Sequence, residues 1–261
     1  KAHALRELIE SKEKVIIMGH WISDVDCVGA AIGIYRAAKT SRKRANIVVN
    51  NVSSSVKPLM ERFYSNPDYE EDLFINNEKA LERMDANTLL VVVDTNRPSY
   101  TECPELLKKA QNIVVLDHHR QTRDVIDSAV LSYVEPYASS ACEMVAEILQ
   151  YYSEDLKIKA IDADAIYAGI VIDTNNFMNK TGVRTFEAAA FLRRNGADVT
   201  RVRKLFRDEM ADYKAKAEAV KNAEVFESHY AISVCPSDTS DNPTVIGGNS
   251  WNQGIFCING I

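Results

Sequence analysis

The sequence predicts an α/β fold, a mainly parallel sheet flanked by helices, followed by a helical part and a linker helix leading to the start of a second domain. Three observations carry this expectation. Short β-branched runs at Val15–Met18, Ala45–Val49, Leu89–Val93 and Ile113–Leu116 alternate with patterns of helical period, and such alternation builds βαβ units. The third and fourth runs are continuously apolar, as strands covered on both faces are. Three of the runs end on acidic or imidazole side chains, and open α/β sheets place their sites at the carboxyl ends of strands.

Taken in order, Ala2–Lys12 carries Leu5, Leu8 and Ile9 on one helical face. Val15–Met18 is the first strand, and the stretch Gly19–Gly33, GHWISDVDCVGAAIG, leads from it into a helix read at Ala30–Lys39. Within that stretch an irregular loop would aim Asp24 and Asp26 toward one region while Gly29 turns the backbone; its bland alternative is an acidic surface loop with a helix cap. Ala45–Val49 is a strand, Pro58–Tyr64 a helix with proline in its tolerated first turn, Phe74–Ile75 a short strand and Glu78–Met84 a short helix. Leu89–Val93 runs into Asp94, and Ile113–Leu116 into Asp117-His118-His119. After a strand at Val130–Val134, four stretches read as helices: Ser140–Ser153, Ala160–Ile172, Thr185–Asn195 and Val199–Glu224. The last is charged, rich in Lys and Ala, and reads as a connector. Beyond Phe226 the pattern is mixed, with a strand at Ala231–Val234, a turn-rich loop at Asp238–Pro243 and no periodicity over Gly247–Gly254. The expected division is therefore a domain at 1–198, a linker helix at 199–224 and the incomplete start of another domain at 225–261.

With 261 residues, 46% of them hydrophobic and 26% charged, the chain can bury a sizeable core. A net charge of −6 argues against a long nucleic-acid track, which needs a basic stripe, but suits a small anionic ligand held by local arginines. The five cysteines (Cys27, Cys103, Cys142, Cys235, Cys257) are scattered and never spaced C-x-x-C, which reads as reduced cytoplasmic thiol and not as a disulfide or zinc framework. No run approaches the roughly 20 apolar residues of a membrane span. Because the first residue is Lys1, a membrane anchor upstream in a longer parent protein is compatible with the sequence.

His20, Asp24, Asp26, Asp94, Asp117, His118 and His119 thus fall at strand ends, and Asp173 closes the apolar helix run 166–172. Singly, each reads as a cap or an ion-pair partner. Jointly they repel: carboxylates near 4 Å cost about 4 kcal/mol per pair at an effective dielectric of about 20. Such a cluster calls for a cation, and mixed imidazole and carboxylate donors suit Mn²⁺ or Fe²⁺. Two metals roughly 3.5–4 Å apart would clamp the attacking and leaving oxygens of a phosphoryl displacement.

These motifs resemble those of the DHH phosphoesterase superfamily: H-x-x-x-D-x-D at His20, Asp24 and Asp26, V-V-V-D-T at Asp94, D-H-H at 117–119 and I-V-I-D-T at Asp173. The wording DTNRPS, LDHHRQ, EPYASSACEM, GIVIDTNNF and TGVRTFEAAAFLRRNGAD is most similar to the bacterial cyclic-di-AMP phosphodiesterases of the GdpP type, over about Ala2–Glu224. The resemblance implies two Mn²⁺ or other first-row divalent ions. One would be held by His20, Asp24 and Asp94, the second by Asp26, Asp94, His118 and Asp173, with Asp94 bridging and a metal-bridged hydroxide attacking phosphorus. It implies that His119 donates to a phosphate oxygen, that Asp117 orients a histidine, and that the turn bearing Ser139 and Ser140 faces the substrate. Ser140-x-x-Glu143 also fits a capping box. Arg184 is the candidate phosphate clamp, with a solvated helix-start charge as its alternative. Trp21 departs from the polar residue expected there, and either base stacking or local packing accounts for it.

What the resemblance implies, then, is hydrolysis of a small cyclic dinucleotide, cyclic di-AMP, to linear pApA in a cytoplasmic domain, with a homodimer left open. The alternatives are an oligoribonuclease or 3′-phosphoadenosine phosphate phosphatase of the same superfamily, and a non-catalytic nucleotide sensor. Family members continue into a DHH-associated domain that grips substrate. Here Val245-Ile246-Gly247 fits its opening and Gly248–Phe256 matches poorly, so weakened grip is a further expectation.

Overall fold

Six strands, all parallel, form the main sheet in the order β3-β2-β1-β4-β5-β6. They are β1 (Lys14–Met18), β2 (Arg44–Val48), β3 (Phe74–Ile75), β4 (Thr88–Val93), β5 (Asn112–Asp117) and β6 (Leu131–Val134). The computed structural model describes residues 1–64, 66–206, 210–226, 230–235 and 255–259. Strand order reverses between β1 and β4, whose register pairs Ile17 with Val91. Chain that leaves β1 turns to one side, and chain that leaves β4 to the other, so a crevice opens at the carboxyl ends of these two strands.

Both sheet faces are covered, which explains why β4 is buried at every position. On one face Ile16, Met18, Leu90, Val92, Ile113 and Val115 pack with Ala80 of α4 (Asn77–Arg83) and Leu106 of α5 (Pro104–Lys109). On the other lie α2 (Val25–Thr40) and α6 (Ala141–Gln150), with α7 (Ala160–Asp173) and α8 (Val183–Arg194) packed on them. Two further helices, α1 (Ala2–Glu10) and α3 (Lys57–Tyr64), complete this unit with α9 (Val199–Leu205). It spans Lys1–Leu205; a second compact unit spans Phe206–Ile261. The second contains α10 (Met210–Lys221) and a three-stranded sheet of β7 (Glu224–Phe226), β8 (Tyr230–Cys235) and β9 (Ile255–Asn259).

Three differences from the sequence reading have physical causes. Helix α2 begins at Val25, five residues before the expected start, because the Asp24 side chain accepts from Cys27 N–H at 2.9 Å and caps it. Gly29 therefore lies inside a helix and turns nothing: a Cβ there would sit 2.6 Å from Ala165 O, so its role is the close approach of α7. The single helix expected at 199–224 is instead α9, α10 and the start of β7; Lys and Ala are good helix formers throughout and supply no stop signal. The loop at Asp238–Pro243 and the stretch Val245–Gly254 lie outside the described residues. Among the described residues no helix is long and apolar enough to cross a membrane.

Candidate metal centre

His20 follows β1 and is pinned by its backbone. It forms an isolated antiparallel bridge with Thr101, while Trp21 N–H donates to Tyr100 O and Glu102 N–H to Gly19 O. These bonds direct the imidazole inward, with Nε2 3.4 Å from Asp94 Oδ2 and 3.6 Å from Asp24 Oδ1. Asp94 ends β4 in a left-handed conformation, φ 59°, its N–H donating to Leu116 O. Backbone held there by a side chain other than glycine is costly and marks functional positions. The Asp94 carboxylate faces two sides of the cluster. Oδ2 faces His20, and Oδ1 faces His118 Nε2 at 3.3 Å without a well-angled hydrogen bond.

His118 Nε2 also lies 3.6 Å from Asp173 Oδ2 and 3.8 Å from Asp26 Oδ2. Asp173 stands on the last turn of α7 and Asp26 on the first turn of α2. Asp26 is fully buried, and both its oxygens accept backbone N–H bonds from the start of α6: Ala141 N to Oδ2 at 2.7 Å and Cys142 N to Oδ1 at 2.9 Å. A helix N-terminus thus holds the most buried carboxylate of the cluster. His119 lies beside His118, ring centroids 4.4 Å apart, and its Nδ1 meets Asp117 Oδ1 at 2.8 Å. Asp117 is itself fixed by Asn96 Nδ2 and by His119 N–H. His119 keeps 56% of its side chain exposed, facing a cavity of about 300 Å³ that His20, Asp94, Asn96, Arg97 and Tyr100 also line.

Among the described residues, donor atoms fall into three overlapping groups, each within 4.8 Å: His20, Cys27 and Asp94; Asp94, His118 and His119; Asp26, His118 and Asp173. Their titration shows the strain of assembling them. Burial opposes charge on His20, but contact with Asp24 and Asp94 outweighs it and raises the pKa to about 10. For His118 burial is likewise outweighed, by Asp94, Asp26 and Asp173, giving about 9. Burial, with Asp24 and Asp94, pushes Asp173 up to about 7, and burial with Asp94 and Asp173 pushes Asp26 well above its ordinary value. The cluster gathers protons where it lacks other positive charge. Together with the buried Asp94 Oδ1, which has no hydrogen-bond partner among the described residues, this donor set fits divalent cations.

Residues 14–170 match the DHH family, N-terminal domain. The chain belongs to the DHH family. It is 42% identical over 235 residues to the cyclic-di-AMP phosphodiesterase GdpP of Geobacillus thermodenitrificans, which covers 89% of this chain and 35% of the relative. To the protein of the same name from Bacillus subtilis it is 40% identical over 244 residues, 92% of this chain and 37% of the relative. The chain therefore spans about a third of the length of these two relatives. An exopolyphosphatase-related protein from Bacteroides fragilis shares the fold, with a TM-score of 0.75 at 18% identity over 91% of this chain and 70% of that one.

Within this DHH domain the structure brings together His20, Asp26, Asp94, Asp117, His118, His119 and Asp173, with Asp24 at the rim, its side chain half exposed and engaged as the α2 cap. It does not bring Ser139, Ser140 or Arg184 into the cavity. Ser139 donates to Glu143 Oε2 at 2.5 Å, and Ser140 Oγ accepts from Glu143 N–H at 3.0 Å. Both serines are buried, so their hydroxyls serve the α6 start. Arg184 makes a two-point contact with Glu147, 2.6 and 2.7 Å, and reaches Tyr133 Oη at 3.0 Å. Its Nε and Nη2 thus face Glu147 and Tyr133 rather than the cavity. Sequence reasoning passed over Asn96 and Tyr100 and set Arg97 aside as a weaker candidate, yet all three line the cavity, and their place in DTNRPSY, just past Asp94, was a usable signal. Glu143, read from sequence as a capping-box residue, accepts from Ser139 and also from Thr185 Oγ1 at 2.6 Å; nothing local marks the second contact.

Proposed function

We propose that this domain hydrolyses a phosphodiester bond of cyclic di-AMP to give linear pApA, using two divalent cations, Mn²⁺ by the donor chemistry. The single observation that carries the reading is Asp94, one buried carboxylate facing His20 through one oxygen and His118 through the other. His20, Asp24 and Asp94 would hold one ion, and Asp26, Asp94, His118 and Asp173 the other. Cations bound there would supply Lewis acidity, activating water at neutral pH and offsetting phosphate charge.

The chain's own groups do the rest. Asp117 accepts from His119 Nδ1 and raises the pKa of that imidazole, favouring the imidazolium, whose Nε2 also carries a proton to present to a phosphate oxygen or to the leaving oxygen. The N–H groups at the start of α6 hold Asp26 in place against its acidic neighbours. Arg97 lies over the Tyr100 ring, 5.3 Å from its centroid, and both line the cavity. A guanidinium and an aromatic face suit a second phosphate and a base. The relatives at 42% and 40% identity, cyclic-di-AMP phosphodiesterases by name, direct the choice of substrate.

Initial rates with Mn²⁺ on cyclic di-AMP, linear pApA and 3′-phosphoadenosine phosphate test the reading. Cyclic di-AMP is expected to be cleaved fastest, with pApA as product. Faster turnover of either other substrate would move the assignment to the oligonucleotide branch of the family. Cyclic di-AMP that binds the metal-loaded protein without being cleaved would make this a sensor.

A further inference from the structure

The cavity beside the cluster holds about 300 Å³, the lower end of what a drug-sized ligand fills. A cyclic dinucleotide carries two riboses, two phosphates and two bases, so the nucleotide that is not being cleaved must extend past the cavity mouth. Where Tyr100 ends the cavity wall, the neighbouring surface is apolar: Trp21, Ile22, Val52 and Tyr100 are 55%, 58%, 41% and 49% exposed. Exposed apolar groups gathered in one place mark binding surfaces. Hydrogen bonds gather these, Trp21 N–H donating to Tyr100 O at 2.9 Å, and Ser53 Oγ, next to Val52, to Ser23 O at 3.3 Å. Neither the fold nor the chemistry proposed above uses Trp21. Its exposure removes local packing as the reason for it, and among the described residues its indole has no ring partner and its Nε1–H no acceptor. The loop that carries it is nonetheless held. His20 bridges Thr101, Ser23 Oγ donates to His20 O at 3.2 Å, and Asp24 caps α2. A large aromatic face displayed on a fixed loop can meet a ligand with little further loss of entropy.

We propose that Trp21 stacks on the base of the uncleaved nucleotide, making with Tyr100 an aromatic subsite at the edge of the cavity. The inference rests on the phosphodiesterase reading given above and names where the second half of that substrate binds. Every base offers a π-face, so such a subsite adds affinity for a base without reading which base it is. A base held outside the cavity takes no part in the reaction at phosphorus. Its contact is made alike in the ground and transition states, and its loss should appear chiefly in KM.

The chain has two tryptophans, Trp21 and Trp251, so Trp251→Phe leaves Trp21 as the one indole emitter. That protein, loaded with Mn²⁺, is titrated with the bis-phosphorothioate analogue of cyclic di-AMP, which resists cleavage, while fluorescence and bound analogue are followed. Quenching that saturates with bound analogue is expected, because a purine stacked on indole quenches its emission. In Trp21→Ala, KM for cyclic di-AMP should rise about 5–100-fold, the worth of one base–aromatic stack. The rise should exceed any change on bis-p-nitrophenyl phosphate, which carries no nucleotide, and Trp21→Phe should recover most of it. Should Trp21→Ala fail to fold, the titration still decides, since it leaves Trp21 in place. Emission unmoved at saturation, or an equal loss on both substrates, overturns the subsite and leaves the cleavage reading intact. A dimer that Trp21→Ala dissociates gives this face to a second copy of the chain and overturns the subsite too. Protein that neither binds the analogue nor cleaves cyclic di-AMP overturns both readings.

Discussion

Asp94 is the residue on which the centre turns: its single carboxylate faces His20 through one oxygen and His118 through the other. Asp94→Asn keeps the shape but removes the negative charge that both ions share. It should lower both metal content and kcat/KM, the latter by more than about 100-fold, since residues merely orienting a ligand are worth about 10–100-fold. His119→Ala should differ, retaining bound metal while losing about 10²–10³-fold in kcat as one positioned donor is removed. Metal content of the two purified variants decides: two ions per chain in Asp94→Asn would sink the bridging assignment. Arg184→Ala belongs at the same scale and runs the other way. Its ion pair with Glu147 is partly solvated, Arg184 being 39% exposed, so about 0.5–1 kcal/mol of stability should go with kcat/KM unchanged. A urea midpoint left in place beside a large fall in kcat/KM would restore Arg184 as a phosphate clamp.

Among the elements, the packing of α7 and α6 on α2 decides whether the acidic groups meet at all. Gly169 in α7 allows that approach: a Cβ there would lie 2.4 Å from Cys142 Sγ and 2.9 Å from Asp26 Oδ1. In an ordinary helix interior Gly→Ala stabilises by roughly 0.5–1 kcal/mol. Here overpacking, typically about 1–3 kcal/mol, should win. Gly169→Ala is therefore expected to lower the melting temperature and also, by displacing Asp26, the metal content. An unchanged or higher melting temperature with full metal would show that α7 can shift without disturbing the centre. The start of α6 is the complementary device, its N–H groups holding Asp26 where neighbouring carboxylates repel it.

At the scale of the molecule, the cluster couples metal binding to stability. Without metal the native state holds protons more tightly than the unfolded chain does at His20, about 10 against 6.5, at His118, about 9 against 6.5, and at Asp173, about 7 against 3.8. A raised native pKa contributes stability that is complete below the unfolded value and is lost as pH rises through the native one. The metal-free protein should accordingly lose melting temperature between about pH 6.5 and 10, after an earlier loss between about pH 4 and 7 from Asp173. Cations that replace those protons should lift the curve and flatten it. Melting temperature against pH, in chelator and in Mn²⁺, checks this, and parallel curves would mean that the ions do not occupy the titrating cluster.

The sequence by itself determined the sheet and the acidic and histidine side chains that stand at its strand ends. β-Branched runs and helical periods are local signals, and the residue that follows a strand is read off directly, so Asp94, Asp117, His118 and His119 were legible at strand ends before any fold was known. The capping bond that begins α2 at Val25 was available too, in the Asp24–Cys27 spacing. Only the tertiary structure decided how those groups are used. Asp26 is held by N–H groups 115 and 116 residues away, and Arg184 is drawn to Glu147 across 37 residues. Gly29 proved to serve helix approach and not a turn. Each of these depends on which faces of separate helices are brought into contact. Close packing of distant segments settles that, and no local pattern in the chain records it.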